Sequence, residues 1–141
     1  MTNQPPRESL KRFAQKVQGV PFAEGGQDLS GWSCWGMIRA AFRECFGVDL
    51  PDLQGCRYRN RREAQEAFDS LAVAYREVDR GREQAGDVLL LKGGPCHVAL
   101  VVKPGLMLHV DKGCATCTES YLNWPWKTRV LGIYRHEQFA S

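Results

Sequence analysis

The chain has 141 residues, 43% hydrophobic and 25% charged, with 19 basic and 16 acidic side chains for a net charge of +3. That length suits a single domain over residues 1–141, large enough to bury roughly two-thirds of its unfolded surface, and the charge is too small to argue for a nucleic-acid partner. No apolar run approaches the ~18 residues that cross a bilayer, so membrane insertion is not expected.

Residues 1–6 read as a loose tail without the apolar core of a secretory signal, so synthesis in the cytoplasm without a signal peptide is the expectation. From Ser9, Leu10, Phe13, Ala14 and Val17 recur at helical spacing, and Gly19 with Pro21 marks the stop. Residues 19–33 are a loop by composition. A second helix opens at Cys34, where Met37, Ile38, Ala41, Phe42 and Cys45 complete one apolar stripe. Ser33 suits its N-cap, Gly47 its C-terminal stop, and Pro51 blocks continuation. A third helix is predicted from Asn60, with a stripe of Ala64, Ala67, Phe68, Leu71, Ala72 and Tyr75.

After Asp87 the pattern changes to short apolar or β-branched segments at 87–92, 97–102, 106–110 and 129–135, punctuated by Gly and Pro. Helices first and strands second, without βαβ alternation, predict an α+β fold with an antiparallel sheet.

The chemistry starts at Cys34. A thiol on the first turn of a helix faces unpaired N–H groups and the positive end of the dipole, which favours the nucleophilic thiolate. His97 opens the most apolar strand and suits a general base. His109, on the next strand, suits the group that orients it. The backbone N–H of Cys34 is a natural donor to a developing oxyanion.

Register tests that trio. A plain two-residue turn at Pro104-Gly105 sets His97 opposite Lys112 and puts His109 on the other face. One extra residue sets His97 opposite Asp111 and makes His109 its diagonal neighbour on the same face. A bulge or three-residue connection between residues 103 and 107 is therefore predicted, with Asp111 or Asn123 as the poorer substitutes for His109.

Other readings compete. Cys45 reads as a small buried hydrophobe, and Arg57, Arg59, Arg61 and Arg62 as a solvated face. Trp32, Trp35, Trp124 and Trp126 suit either a groove or the core. Metal binding is the main rival: Cys96, His97, His109, Cys114 and Cys117 fall close together, with the Cys-x-x-Cys spacing common in zinc sites. On that reading the chain is a zinc-stabilised interaction module. The leading reading, a thiol hydrolase, needs no cofactor and no metal.

An ordered set of motifs adds to this. Gly19-Val-Pro-Phe22, Gly25-Gly26, Ser33-Cys34-Trp-Gly-Met-Ile-Arg39, Phe46-Gly-Val-Asp-Leu-Pro51, Ala85-Gly-Asp-Val-Leu-Leu90, His97-Val-Ala-Leu-Val-Val102, His109-Val110 and Gly132-Ile-Tyr-Arg-His136 follow one another across nearly the whole chain. The set resembles the NlpC-type cell-wall cysteine peptidases, and the Cys-Trp-Gly variant resembles their phage-tail and gene-transfer-agent branch. The resemblance implies a papain-like fold and cleavage of peptidoglycan peptide stems near γ-D-glutamyl-diamino acid bonds. It maps the nucleophile to Cys34, the base to His97 and the third polar residue to His109, and it places Phe22, Ser33 and Trp35 beside the substrate. It also implies phage-like tail-tip proteins as partners, with virion- or tail-associated delivery to the periplasm or cell wall. Two positions depart from the family pattern: Ser33 stands where Asp is usual, and Phe22 where Tyr is usual. Loss of that hydroxyl removes a hydrogen bond that can contribute ~3 kcal/mol in a transition state. A catalytically weak or inactive tail-tip plug of the same fold is the alternative.

Overall fold

The computed structural model describes residues 7–51, 62, 75–92 and 97–139. Helix α1 (Arg7–Lys16) buries Leu10, Phe13 and Ala14, the stripe read from sequence. The following loop carries a two-stranded hairpin, β1 (Gln27–Asp28) and β2 (Gly31–Trp32), which its Gly-rich composition did not signal. Helix α2 (Cys34–Phe46) has the expected ends. Ser33 Oγ accepts the Gly36 N–H at 3.1 Å, and Gly47 takes the left-handed conformation at φ 67°. Only glycine adopts that conformation without steric cost, so the helix stops there.

The remaining strands are β3 (Tyr75–Glu77), β4 (Val88–Leu91), β5 (His97–Lys103), β6 (Leu106–Asp111), β7 (Cys114–Ser120) and β8 (Val130–His136). They form one antiparallel sheet in the order β3-β8-β4-β5-β6-β7. Tyr75, expected at the end of a third helix, instead opens strand β3, paired with His136. The rest of that helix lies outside the described residues, Arg62 excepted.

Side-chain alternation divides the sheet into two apolar faces. Val88, Leu90, Val98, Leu100, Leu108, Val110 and Tyr134 pack with α1 and α2, and Leu89, Leu91, Ala99, Val101, Met107 and Ile133 pack with Tyr121 and Val130. Burial on both faces is why β4 and β5 read as unbroken apolar runs. A bidentate ion pair ties β8 to the start of β4. Arg135 reaches both carboxylate oxygens of Asp87 at 2.9 Å, and Asp87 also accepts the Gln84 N–H at 2.9 Å.

The β5–β6 turn differs in detail from expectation. It is a tight two-residue connection, Lys103 pairing with Leu106, and the register shift lies between Val101 and Lys103 rather than within 103–107. The extra residue is Val102, inside the strand. The effect on register is the required one: Leu100 pairs with Leu108 and Val101 with Met107, which carries His97 toward Asp111.

Candidate active site

Cys34 is the first residue of α2 and only 7% exposed. Its position depends on two glycines. The Gly26 carbonyl sits where a Cβ on Gly36 would be, 2.3 Å away, and it accepts the Ser33 N–H at 3.1 Å. The approach loop thus rests on the helix mouth through contacts that no larger residue at 36 allows. The loop's other end is fastened to β7. Thr116 exchanges backbone hydrogen bonds with Gly19 and Val20, and its hydroxyl accepts the Trp32 indole N–H at 2.8 Å.

The two histidines meet. The His97 and His109 rings are 5.8 Å apart and edge-to-face, and Trp126 packs against both at 6.0 and 5.0 Å. The Cys34 thiol receives hydrogen bonds from the backbone of Val98, the residue after His97, and from the first turn of its own helix. The Asp111 charge acts on both Cys34 and His97.

The electrostatics correct one expectation. Burial pushes the Cys34 thiol above its ordinary value, outweighing the backbone hydrogen bonds that favour the thiolate. Burial also pulls His97 below its ordinary value of 6.5, so the imidazole is neutral near pH 7. Near pH 7 the Cys34 thiol is therefore protonated and the His97 imidazole neutral.

Three residues assigned to substrate contact have packing or capping partners. Ser33 caps α2 through Gly36, a task at which Ser and Asp are about equal. Trp35 is 5% exposed and donates its indole N–H to the Pro51 carbonyl at 2.8 Å. Phe22 bridges to Trp32 and packs partly buried against the helical core.

The sequence-derived metal set divides. His109, Cys114 and Cys117 come together, joined by Glu119, which sequence reasoning missed. His97 is outside that group, and Cys96 lies outside the described residues. The Cys117 thiol is pushed up to about 12, by burial first and then by Cys114 and Glu119. It is a poor nucleophile at neutral pH.

Residues 19–135 match the sequence pattern of the NlpC/P60 family. The chain belongs to the NlpC/P60 family. Among curated relatives, the Escherichia coli murein DD-endopeptidase MepS/murein LD-carboxypeptidase is 28% identical over 114 residues, which are 79% of this chain and 53% of that protein. The chain thus spans about half the length of the curated relatives it matches. Solved NlpC/P60 structures share the fold. The domain of the peptidoglycan hydrolase SagA superposes with a TM-score of 0.64 at 22% identity, over 92% of this chain and 97% of that one. A family member from Bacillus cereus gives 0.69 at 19% identity, over 94% of this chain and 40% of that one.

Proposed function

We propose that the chain is a cysteine endopeptidase of peptidoglycan stem peptides, with Cys34 as nucleophile, His97 as general base and His109 as the group that orients His97. The observation that carries this reading is the convergence at the α2 mouth: a thiol hydrogen-bonded beside His97, and His97 edge-to-face with His109. His97 takes the thiol proton as sulfur attacks the carbonyl carbon, then delivers it to the leaving amine. Water releases the acyl group from sulfur in the second half-reaction, again with His97 as base. First-turn N–H groups of α2 face the charge that develops on the carbonyl oxygen. The murein activities in the name of the 28% identical relative support peptidoglycan as substrate.

The finer reading is a phage-like tail component that cuts near γ-D-glutamyl-diamino acid bonds. It is supported by the resemblance of the Cys34-Trp-Gly36 motif to the phage-tail branch of the family. A second reading, a tail-tip plug that has lost turnover, is favoured by the buried and protonated Cys34 together with Phe22 and Ser33.

Digestion of purified sacculi, with fragments identified by mass spectrometry, separates these readings. The wild type is expected to release stem fragments that Cys34→Ala does not. Equal release by both proteins overturns the assignment. Release that survives Cys34→Ala but is lost in Cys114→Ser moves the nucleophile to β7.

A further inference from the structure

In a regular strand, Cys114 and Cys117 would point to opposite faces, because side chains alternate with a period of two. Strand β7 is not regular there. His109 pairs with Cys117 while Asp111 pairs with Cys114, so two steps along β6 match three along β7. That bulge brings both thiols to one side, 3.4 Å apart at sulfur. Cys117 Sγ lies 3.7 Å from His109 Nε2 and 3.9 Å from Glu119 Oε2, and His109 Nε2 meets Glu119 Oε2 at 2.5 Å. All four ligand atoms fall within 4.8 Å of one another.

Zinc bonds of about 2.0–2.3 Å place the corners of a tetrahedron ~3.3–3.8 Å apart, close to these separations. The His109–Glu119 pair must open, and a pair near the 4.8 Å limit must close by about 1 Å. His109 is itself 1% exposed, so its ring presents Nε2 to the cluster from a fixed position.

We propose that His109, Cys114, Cys117 and Glu119 form a binding site for zinc or a similar borderline-soft divalent cation, and that its occupancy silences the neighbouring catalytic trio. The silencing rests on the triad reading given above; the site itself does not. In the metal-free protein, His109 Nε2–H donates to Glu119 and the buried Nδ1, which has no hydrogen-bond partner among the described residues, is left as an acceptor. An ion takes the Nε2 lone pair, so the ring proton sits on Nδ1. The two thiols release their protons to solvent as they coordinate. A ring nitrogen available to accept from His97 has become a donor, which is the wrong tautomer for holding a base.

Cobalt titration of the reduced protein tests the site without any substrate. About one equivalent is expected to bind with thiolate-to-cobalt charge-transfer absorption and the intense visible bands of tetrahedral cobalt, both displaced by zinc. Cys114→Ser alone is expected to weaken binding by more than the ~10–100-fold that even an outer-shell change costs. Cys114→Ser/Cys117→Ser is expected to abolish the bands, with folding checked by circular dichroism. Absence of the bands in wild type, or their persistence in the double variant, overturns the site. A disulfide between the two cysteines in the presence of reductant does the same.

The second arm compares each protein's own sacculus digestion with and without zinc. Zinc is expected to slow wild type by ~100-fold or more, the usual share of a positioned base, and to leave the double variant's rate ratio near unity. Full cobalt binding with unslowed digestion overturns the silencing. A chain that cuts no sacculi even in chelator refutes the proposed function, while the optical titration still decides the site.

Discussion

Replacing Gly36 with alanine tests whether the approach loop holds the nucleophile in place. A Cβ at 36 lies 2.3 Å from the Gly26 carbonyl oxygen and 3.2 Å from Ser33 Oγ. Such contacts do not fall below 3.0 Å, so loop and helix must separate by at least 0.7 Å (3.0 minus 2.3). The same carbonyl accepts the Ser33 N–H, so the retreat loosens the residue that caps α2, next to Cys34. A misplacement of about 1 Å near the reacting atoms costs on the order of 10²-fold in rate. Stability pulls the other way, because alanine is better than glycine within a helix by ~1 kcal/mol. We expect kcat/KM on sacculi or stem peptides to fall on the order of 10²-fold, with Tm displaced by no more than about 4 °C. A Gly36→Ala protein cutting within about twofold of wild type would show that the loop does not set the nucleophile's position.

Four further outcomes follow from the fold and the site. Asp87→Ala leaves Arg135 facing a buried gap and should cost ~3–5 kcal/mol; at about 0.3 kcal/mol/K for a chain of this size, Tm falls by roughly 10–17 °C in a calorimetric scan. A loss under about 1 kcal/mol would mean the pair is effectively solvated. His97 has its folded pKa below 6.5, so its base function is present above that value and disappears as pH falls through the folded pKa. In chelator, kcat/KM should show one acid limb below pH 6.5 and no loss toward alkaline pH, because the thiol needs no standing charge. For the same reason stability should hold above pH 6.5 and decline below it, where the unfolded chain protonates first, His136 adding to His97. Ser33→Asp should unfold at the same urea concentration as wild type, whereas Ser33→Ala should lose ~1 kcal/mol.

Helix α2 was legible from sequence because every signal for it is local: the stripe, the Ser33 cap and the Gly47 stop lie within one segment. Strand β7 was not, because Cys-Ala-Thr-Cys-Thr-Glu-Ser carries no apolar alternation and pairs through β6 and the loop at 19–20. The His97–His109 meeting required an extra residue near the β5–β6 turn, but nothing in the residue types marked Val102 as the one displaced. Glu119 escaped notice because its pairing with His109 depends on the cross-strand register of β6 and β7. The Cys34 thiol was misjudged for a related reason. Helix-terminus dipoles are visible in sequence, whereas the desolvation that outweighs them is a property of the assembled core. Asp87 and Arg135 were visible only as members of two separate motifs, and the fold joins them as one pair.

A six-stranded open sheet has two borders at which foreign chains can add. One here is β3, a three-residue strand too short to template much growth. The other, β7, is interrupted at its midpoint, where Thr116 gives its N–H to Val20 and accepts from Gly19. Among the described residues neither border offers a long row of vacant amides, the usual template for edge-to-edge growth.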